Sequence, residues 1–329
     1  MSSTPVVRAL GAAVGIAALL TLLLSAFAWP THELEPRGLP LAVVGPEQAL
    51  AQVERATAPL GEDALDLTSV DTRDDAIAAI QEREVYAAIV PEPSRTELMT
   101  APAGSPAVAT LLREALARAA PTPPTVTAVV PLPNEDPRGA VFSSGALPLV
   151  LGGIITGGAF SLLVRQPGAA ITGVLVTAAL AGLSLTAVLQ EWLGALSGDF
   201  AINAGVVGLG VAAVGLAVLG LFRFLGRGGL ALGALTMLLL GNPLSGITSA
   251  PELLPWGPLG QLLPPGATGT ALRSTAFFDG NGAAQPLLVL AVWVLAGIAL
   301  ALLPIRRPPE GRTAPVGDEG RAGRMPARS

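Results

Sequence analysis

Long apolar stretches separated by short polar gaps dominate this chain. Six runs approach the length of a bilayer crossing: residues 6–29 with Arg8 as a flank, 143–164, 169–189, 201–222, 230–247 and 286–305. A spanning helix takes about 20 mostly apolar residues to cross about 30 Å of hydrocarbon. No Asp, Glu or Arg falls inside the last five runs. That exclusion is expected where a charge at the bilayer centre costs about 2.5–3.5 kcal/mol. The pattern predicts an α-helical membrane protein with six transmembrane helices.

Residues 31–141 follow a different rhythm and predict a small α/β domain inserted between helices 1 and 2. Leu41-Ala42-Val43-Val44 is a short strand-like run, followed by Gly45-Pro46 and a helical stretch to Ala58. Residues 65–70 alternate apolar and polar as a half-buried strand does, and Asp71-Thr72-Arg73-Asp74-Asp75 offers capping groups for a helix carrying Ala76, Ile77 and Ile80. Further strands are predicted at 85–90, 96–100 and 125–130, with a helix from Ser105-Pro106 to Ala119 carrying Val108, Leu111, Leu112 and Leu116. Strands alternating with helices of about 10–15 residues imply some parallel pairing. The domain reading is therefore helix 1 at 1–30, the α/β domain at 31–141, a five-helix membrane domain at 142–305, and a disordered basic cytoplasmic tail at 306–329.

Composition sharpens this. Only 13% of the 329 residues are charged and the mean hydropathy is +0.61, against about 25% charged in a soluble domain. All 19 basic residues are arginine. With the N-terminus inside, the inner segments hold ten arginines against three carboxylates, leaving nine arginines and 21 carboxylates outside. The short loop 165–168 and the stretch 223–227 are basic while 191–199 is acidic, so the positive-inside rule places both termini in the cytoplasm and 31–141 outside a bacterial plasma membrane. A cleaved signal peptide is the rival reading of the first helix, since Ala26-Phe27-Ala28 resembles a small-x-small site. The apolar stretch 9–28 exceeds the usual 7–15-residue core of a signal peptide, and Trp29-Pro30 suits an interfacial anchor, which favours a retained helix.

Most enzyme chemistry is missing. There is no cysteine, one histidine (His32) and no GxxxxGK[ST] phosphate loop, so neither a cofactor nor a metal is assigned to this chain. Nucleic acid is not an expected partner; the lipid bilayer is. The absence of ionisable residues from mid-span argues against a proton-coupled pump. Milder polar groups are left as a transport path or gate: Asn203 at the start of helix 4, and Asn242, Ser245 and Thr248 at helical spacing near the end of helix 5. Capping and interhelical hydrogen bonds account for these residues at least as well. Gly11 with Gly15, and Gly153 with Gly157, have the spacing that lets helix backbones approach closely, a spacing that chance accounts for equally well in a chain with 39 glycines. The segment 251–284 is too broken to span and too apolar for a free loop, so it reads as an interfacial or re-entrant pair, with Trp256 and Phe277-Phe278 at headgroup level. Arg273 and Asp279 in it pair, face an outer vestibule or are simply solvated, and the last accounts for them as well as the other two.

Three features together resemble the type-2 ABC exporter permease superfamily, in particular its phage-infection-protein-like branch. These are the layout of one helix, an extracytoplasmic domain and five helices; Leu41-Ala42-Val43-Val44 with Tyr86-Ala87-Ala88-Ile89-Val90-Pro91; and Leu263-Pro264-Pro265-Gly266-Ala267 through Arg273 to Phe277-Phe278-Asp279-Gly280. The resemblance implies a half-transporter that forms a homodimer or a heterodimer with a related permease. It also implies a separate cytoplasmic ATPase partner and export of a lipid, drug, peptide or envelope component. The chain departs from that pattern where an ATPase would grip it: only Met1 to Pro5 precede the first span, and the loop between helices 2 and 3 is little more than residues 165–168. The competing expectation is a non-transporting envelope scaffold or secretion accessory protein that binds a partner through its outer domain. An intramembrane enzyme is disfavoured by the missing catalytic set.

Overall fold

A computed structural model describes residues 5–303 apart from 62, 92–94 and 120–121, so the basic tail at 306–329 lies outside the described residues. The chain is mostly helical and carries one small sheet. Its strands are β1 (Leu39–Val44), β2 (Leu65–Val70), β3 (Ala87–Pro91), β4 (Thr96–Thr100) and β5 (Thr125–Ala128), in the order β2-β1-β3-β4-β5. β1 pairs in parallel with β2 and β3, β4 turns antiparallel to β3, and β5 is again parallel to β4.

Alternation along the strands builds two cores. Leu39, Leu41 and Val43 pack with Val53 of α2 (Glu47–Thr57) and with Val108, Leu112 and Leu116 of α4 (Pro106–Ala119). Ala42, Ala88 and Met99 pack with Ala76 and Ile80 of α3 (Arg73–Gln81). A reciprocal capping box opens α3: Thr72 Oγ1 accepts from the Asp75 amide, and the Asp75 carboxylate accepts from the Thr72 amide. Neither core is closed by the domain alone. Ala250 and Leu253 complete the first, and Phe278 the second.

Five helical spans are long and apolar enough to cross a membrane: α1 (Pro5–His32), Ala140–Leu163 formed by α5 (Ala140–Ser144) and α6 (Ala146–Leu163), Pro167–Trp192 led by α7 (Pro167–Thr186), α8 (Phe200–Leu225) and α12 (Ala284–Leu302). The run expected as a helix over 230–247 is shorter. It consists of α9 (Arg227–Leu235) and one wider turn, Thr236–Gly241, about 22 Å at 1.5 Å per residue. Pro243, which has no amide hydrogen to offer, and Gly246 at φ +68° then turn the chain. Asn242, Ser245 and Thr248 consequently lie on a turn, not along one helix face.

α8 is the axis of the bundle. It is buried over most of its length, and α6, α7 and α12 pack around it. Small residues allow the approach: a Cβ at Gly153 of α6 would stand 2.5 Å from Val214 Cβ of α8, and one at Gly157 would run into the Gly215 carbonyl. α1 stands apart, exposed along nearly its whole length, with open space at Gly11 and Gly15. Its C-terminal end returns to the bundle through an edge-on contact of Trp29 with Trp256 at 5.1 Å.

Candidate functional site

The segment between α9 and α12 is the floor on which the α/β domain stands. It contains a 3-10 turn (Pro251–Leu253), the short α10 (Gly257–Gln261) and α11 (Pro264–Phe277). Glycine permits its folding: at Gly257 and at Gly260 a Cβ would strike the carbonyls of Pro251 and Leu244. Between Pro251 and Phe278 the only charged residues are Glu252 and Arg273, and both meet the domain's underside.

Arg273 is 3% exposed in α11. Its Nη2 donates to the Ile247 carbonyl at 2.8 Å, its guanidinium lies 5.1 Å from the Phe142 ring centroid, and its buried Nε has no partner among the described residues. Arg83 descends from the domain. It follows α3 in the left-handed region at φ 62°, an uncommon conformation for a side chain of this size. Its Nη1 donates to Ser274 Oγ at 2.6 Å and to the Thr270 carbonyl at 3.2 Å, and its guanidinium sits 5.1 Å from the Phe278 ring centroid. Burial pulls the Arg83 guanidinium below its ordinary value, against the opposing influence of Tyr86 and Glu252. The Tyr86 hydroxyl donates to Glu252 Oε2 at 2.7 Å. Burial first, and then the Glu252 charge, raise the Tyr86 phenol, so it keeps its proton. Arg37 closes the other edge of the floor, donating to the Leu253 carbonyl at 3.1 Å.

These side chains line a cavity of about 670 Å³ between the domain and the floor, joined by Gln261, Thr270 and, at the start of α12, Gln285 and Pro286. Its polar lining is three guanidinium groups, one carboxylate, one phenol and neutral amides and hydroxyls; the remainder is apolar. Such a set binds and orients anions; among the described residues no cluster of three or more His, Asp or Glu is placed to hold a metal.

The residues singled out by sequence do not form one site. Arg273 lines the cavity. Asp279 is exposed at a left-handed turn, φ 51°, and no ion pair joins the two among the described residues. Asn203 is fully buried in a separate polar knot: its Nδ2 donates to Gln190 Oε1 at 2.9 Å and to the Ser197 carbonyl at 2.7 Å, and its Oδ1 accepts from Thr275 Oγ1 at 2.8 Å. This knot ties the ends of α7 and α8 to α11. Ser245 Oγ donates to the Asn242 carbonyl, the Ser245 carbonyl accepts from Gln261, and Thr248 is exposed. Gly153 and Gly157 lie at the α6–α8 contact. Arg83, Tyr86 and Glu252 escaped the sequence reading as site residues. Arg83 sits in Gln81-Glu82-Arg83-Glu84, which reads as an ordinary solvated run, whereas Glu252 carries a usable signal as a lone carboxylate in an apolar stretch.

Comparison with protein-family models, curated proteins and solved structures finds no match.

Proposed function

We propose that the protein is the permease subunit of an exporter in a bacterial plasma membrane, moving a lipid, drug, peptide or envelope component outward with energy from a separate ATPase. The observation that carries this reading is the cavity shared by the α/β domain and the floor of the helical bundle, because an occupant there touches both halves at once. The ends of the helices support six crossings. α6 and α12 start at the domain end, and α8 starts there through the Asn203 knot. At the far end, Arg223 at the close of α8 donates to the carbonyls of Val164 and Arg165 in the loop between α6 and α7. The chain leaving α8 must therefore climb back through α9 and the turn beyond it before α11 and α12 can follow. Basic residues at that far end, Arg165, Arg223 and Arg227, support a cytoplasmic far end and an extracytoplasmic domain.

Since α8 fills the centre of the bundle, a passage runs along the outside of one chain, between two copies, which fits the dimeric half-transporter of the resemblance. Purification of the native complex in mild detergent tests the reading. Recovery of a stoichiometric ATPase is the expected result, and its repeated absence refutes the exporter.

One observation favours a second reading, the envelope scaffold or secretion accessory. α6 ends at Leu163 and α7 begins at Pro167, with Arg223 pinned against the loop between them, so among the described residues the far end offers a motor little to hold. A partner protein captured through the extracytoplasmic domain in the absence of any ATPase is the result that reading expects.

A further inference from the structure

The cavity beneath the α/β domain is chemically divided in a way that identifies the class of its occupant. Its volume of about 670 Å³ falls within the roughly 300–1,000 Å³ of small-molecule sites. Arg273 is buried and Arg83 half-buried, yet neither forms an ion pair among the described residues. A guanidinium has five N–H donors. Within the chain the hydrogen bonds use Nη1 of Arg83 and Nη2 of Arg273, and the buried Nε of Arg273 is unpartnered. The two side chains approach the same turn of α11, since Arg83 bonds Ser274, the residue after Arg273. Arg37 pairs with Glu35 at 3.7 Å, which leaves Glu252 as the one carboxylate of the lining against Arg83 and Arg273, and its Oε2 is taken by the Tyr86 hydroxyl. A cation withdrawn from water without a partnered anion is destabilising, and an anion brought to it offsets that penalty.

The rest of the lining is uncharged: the amides of Gln261 and Gln285 and the Thr270 hydroxyl, with an apolar part that includes Val85, Leu254, Pro255, Pro258, Phe278 and Pro286. Pro286, in the first turn of the last apolar helix, and Leu254 are both buried, so this apolar part of the lining is sheltered from solvent. We propose that this cavity binds the phosphate head of an anionic amphiphile. The phosphate is held by Arg83 and Arg273, and the apolar part of the ligand lies against Leu254, Pro258 and Pro286. Guanidinium matches phosphate through paired charge-assisted hydrogen bonds. The proposal rests on the extracytoplasmic placement of this cavity in the exporter reading, and it is independent of whether an ATPase is recovered.

The test uses the full chain in nanodiscs of zwitterionic lipid, titrated by calorimetry with dioctanoyl phosphatidic acid, dioctanoyl phosphatidylcholine and inorganic phosphate. Saturable binding of the phosphatidic acid at one site per chain, much tighter than binding of the other two, is expected. Arg83→Gln removes a charge-assisted contact and weakens binding by about tenfold or more. Gln285→Glu places a like charge at an exposed position of the lining and also weakens binding, without disturbing a buried contact. Thermal melting confirms that both variants are folded. Three results overturn the proposal: no saturable binding of phosphatidic acid, inorganic phosphate binding as tightly as the lipid, or folded Arg83→Gln and Gln285→Glu variants that bind like the parent. Absence of an ATPase from the purified complex counts against the exporter alone and does not bear on these titrations.

Discussion

Two adjacent glycines in α6 provide a controlled measurement of how tightly the bundle is built. A Cβ at Gly153 would stand 2.5 Å from Val214 Cβ and 3.2 Å from the Val211 carbonyl, whereas one at Gly152 would meet nothing within 4 Å. Ordinary contact begins at 3.4 Å, so Gly153→Ala forces α6 and α8 apart by about 0.9 Å. Val214 is unable to rotate away, because its Cβ is fixed to the α8 backbone. Overpacking of this kind costs about 1–3 kcal/mol. Replacing glycine by alanine in a helix interior also gains up to about 1 kcal/mol of helix propensity. That gain is common to Gly152→Ala and Gly153→Ala and cancels when the two are compared, so their difference isolates the packing term. Reversible unfolding in mixed micelles should find Gly153→Ala less stable than Gly152→Ala by about 1–3 kcal/mol. In a double-mutant cycle Val214→Gly should recover part of the loss, and Val214→Ala should recover much less because it retains the offending Cβ. Equal shifts for the two alanine variants refute the close α6–α8 approach.

Three further outcomes follow from other parts of the structure. Asn203→Ala removes a partner from Gln190 Oε1, the Ser197 carbonyl and the Thr275 hydroxyl, which keeps the Leu272 carbonyl, and should cost about 1–3 kcal/mol in all; thermal unfolding measures this, and a change within error shows that water replaces the amide. Glu97 is held below the usual carboxylate range, first by Arg73, whose Nη2 donates at 2.9 Å, and then by the Thr127 hydroxyl. Because its folded value is depressed, the stability it supplies is present above the unfolded carboxyl value and is lost as pH falls through the folded one. Glu97→Gln should flatten that acid-side loss in melts recorded from neutrality downward, and parallel curves for variant and parent would rule it out. The chain has no cysteine, so single cysteines report topology without background: Glu54→Cys in α2 should react with an impermeant maleimide on intact cells and Arg227→Cys should not. The reverse pattern inverts the orientation.

The apolar runs were legible because a charge-free stretch of about 20 residues has few physical outcomes. The alternation of 65–70 was legible for a similar reason, and the strand Leu65–Val70 occupies those positions. The run 230–247 shows where such reading stops: composition alone does not weigh Pro243 and Gly246 against sixteen permissive neighbours, and those two residues end the helix. Strand order was out of reach because it depends on crossovers and on β4 turning antiparallel, neither of which leaves a local signal. The same limit applies to Asn203, whose partners Gln190 and Thr275 lie 13 and 72 residues away.

The site was only half legible, and the reason lies in how charge is counted along a chain. Sorting arginines by side of the membrane treats each as solvated, which is the correct default for a residue that is rarely buried alone. Arg273 satisfies the sequence rule, since it lies outside the long apolar runs, and breaks the physical one, since it is buried. Its burial is made tolerable by contacts that sequence order does not reveal: the Ile247 carbonyl, the Phe142 ring, and the domain that covers it. Arg83 is the counterpart from above, held in a left-handed conformation while it reaches Ser274 across 191 residues. A strained backbone and a buried guanidinium with no ion pair among the described residues, both at one junction, are costs that folding alone does not require. An anion between the two arginines offsets the electrostatic part of that cost, and by touching both halves it links the domain to the helices beneath it.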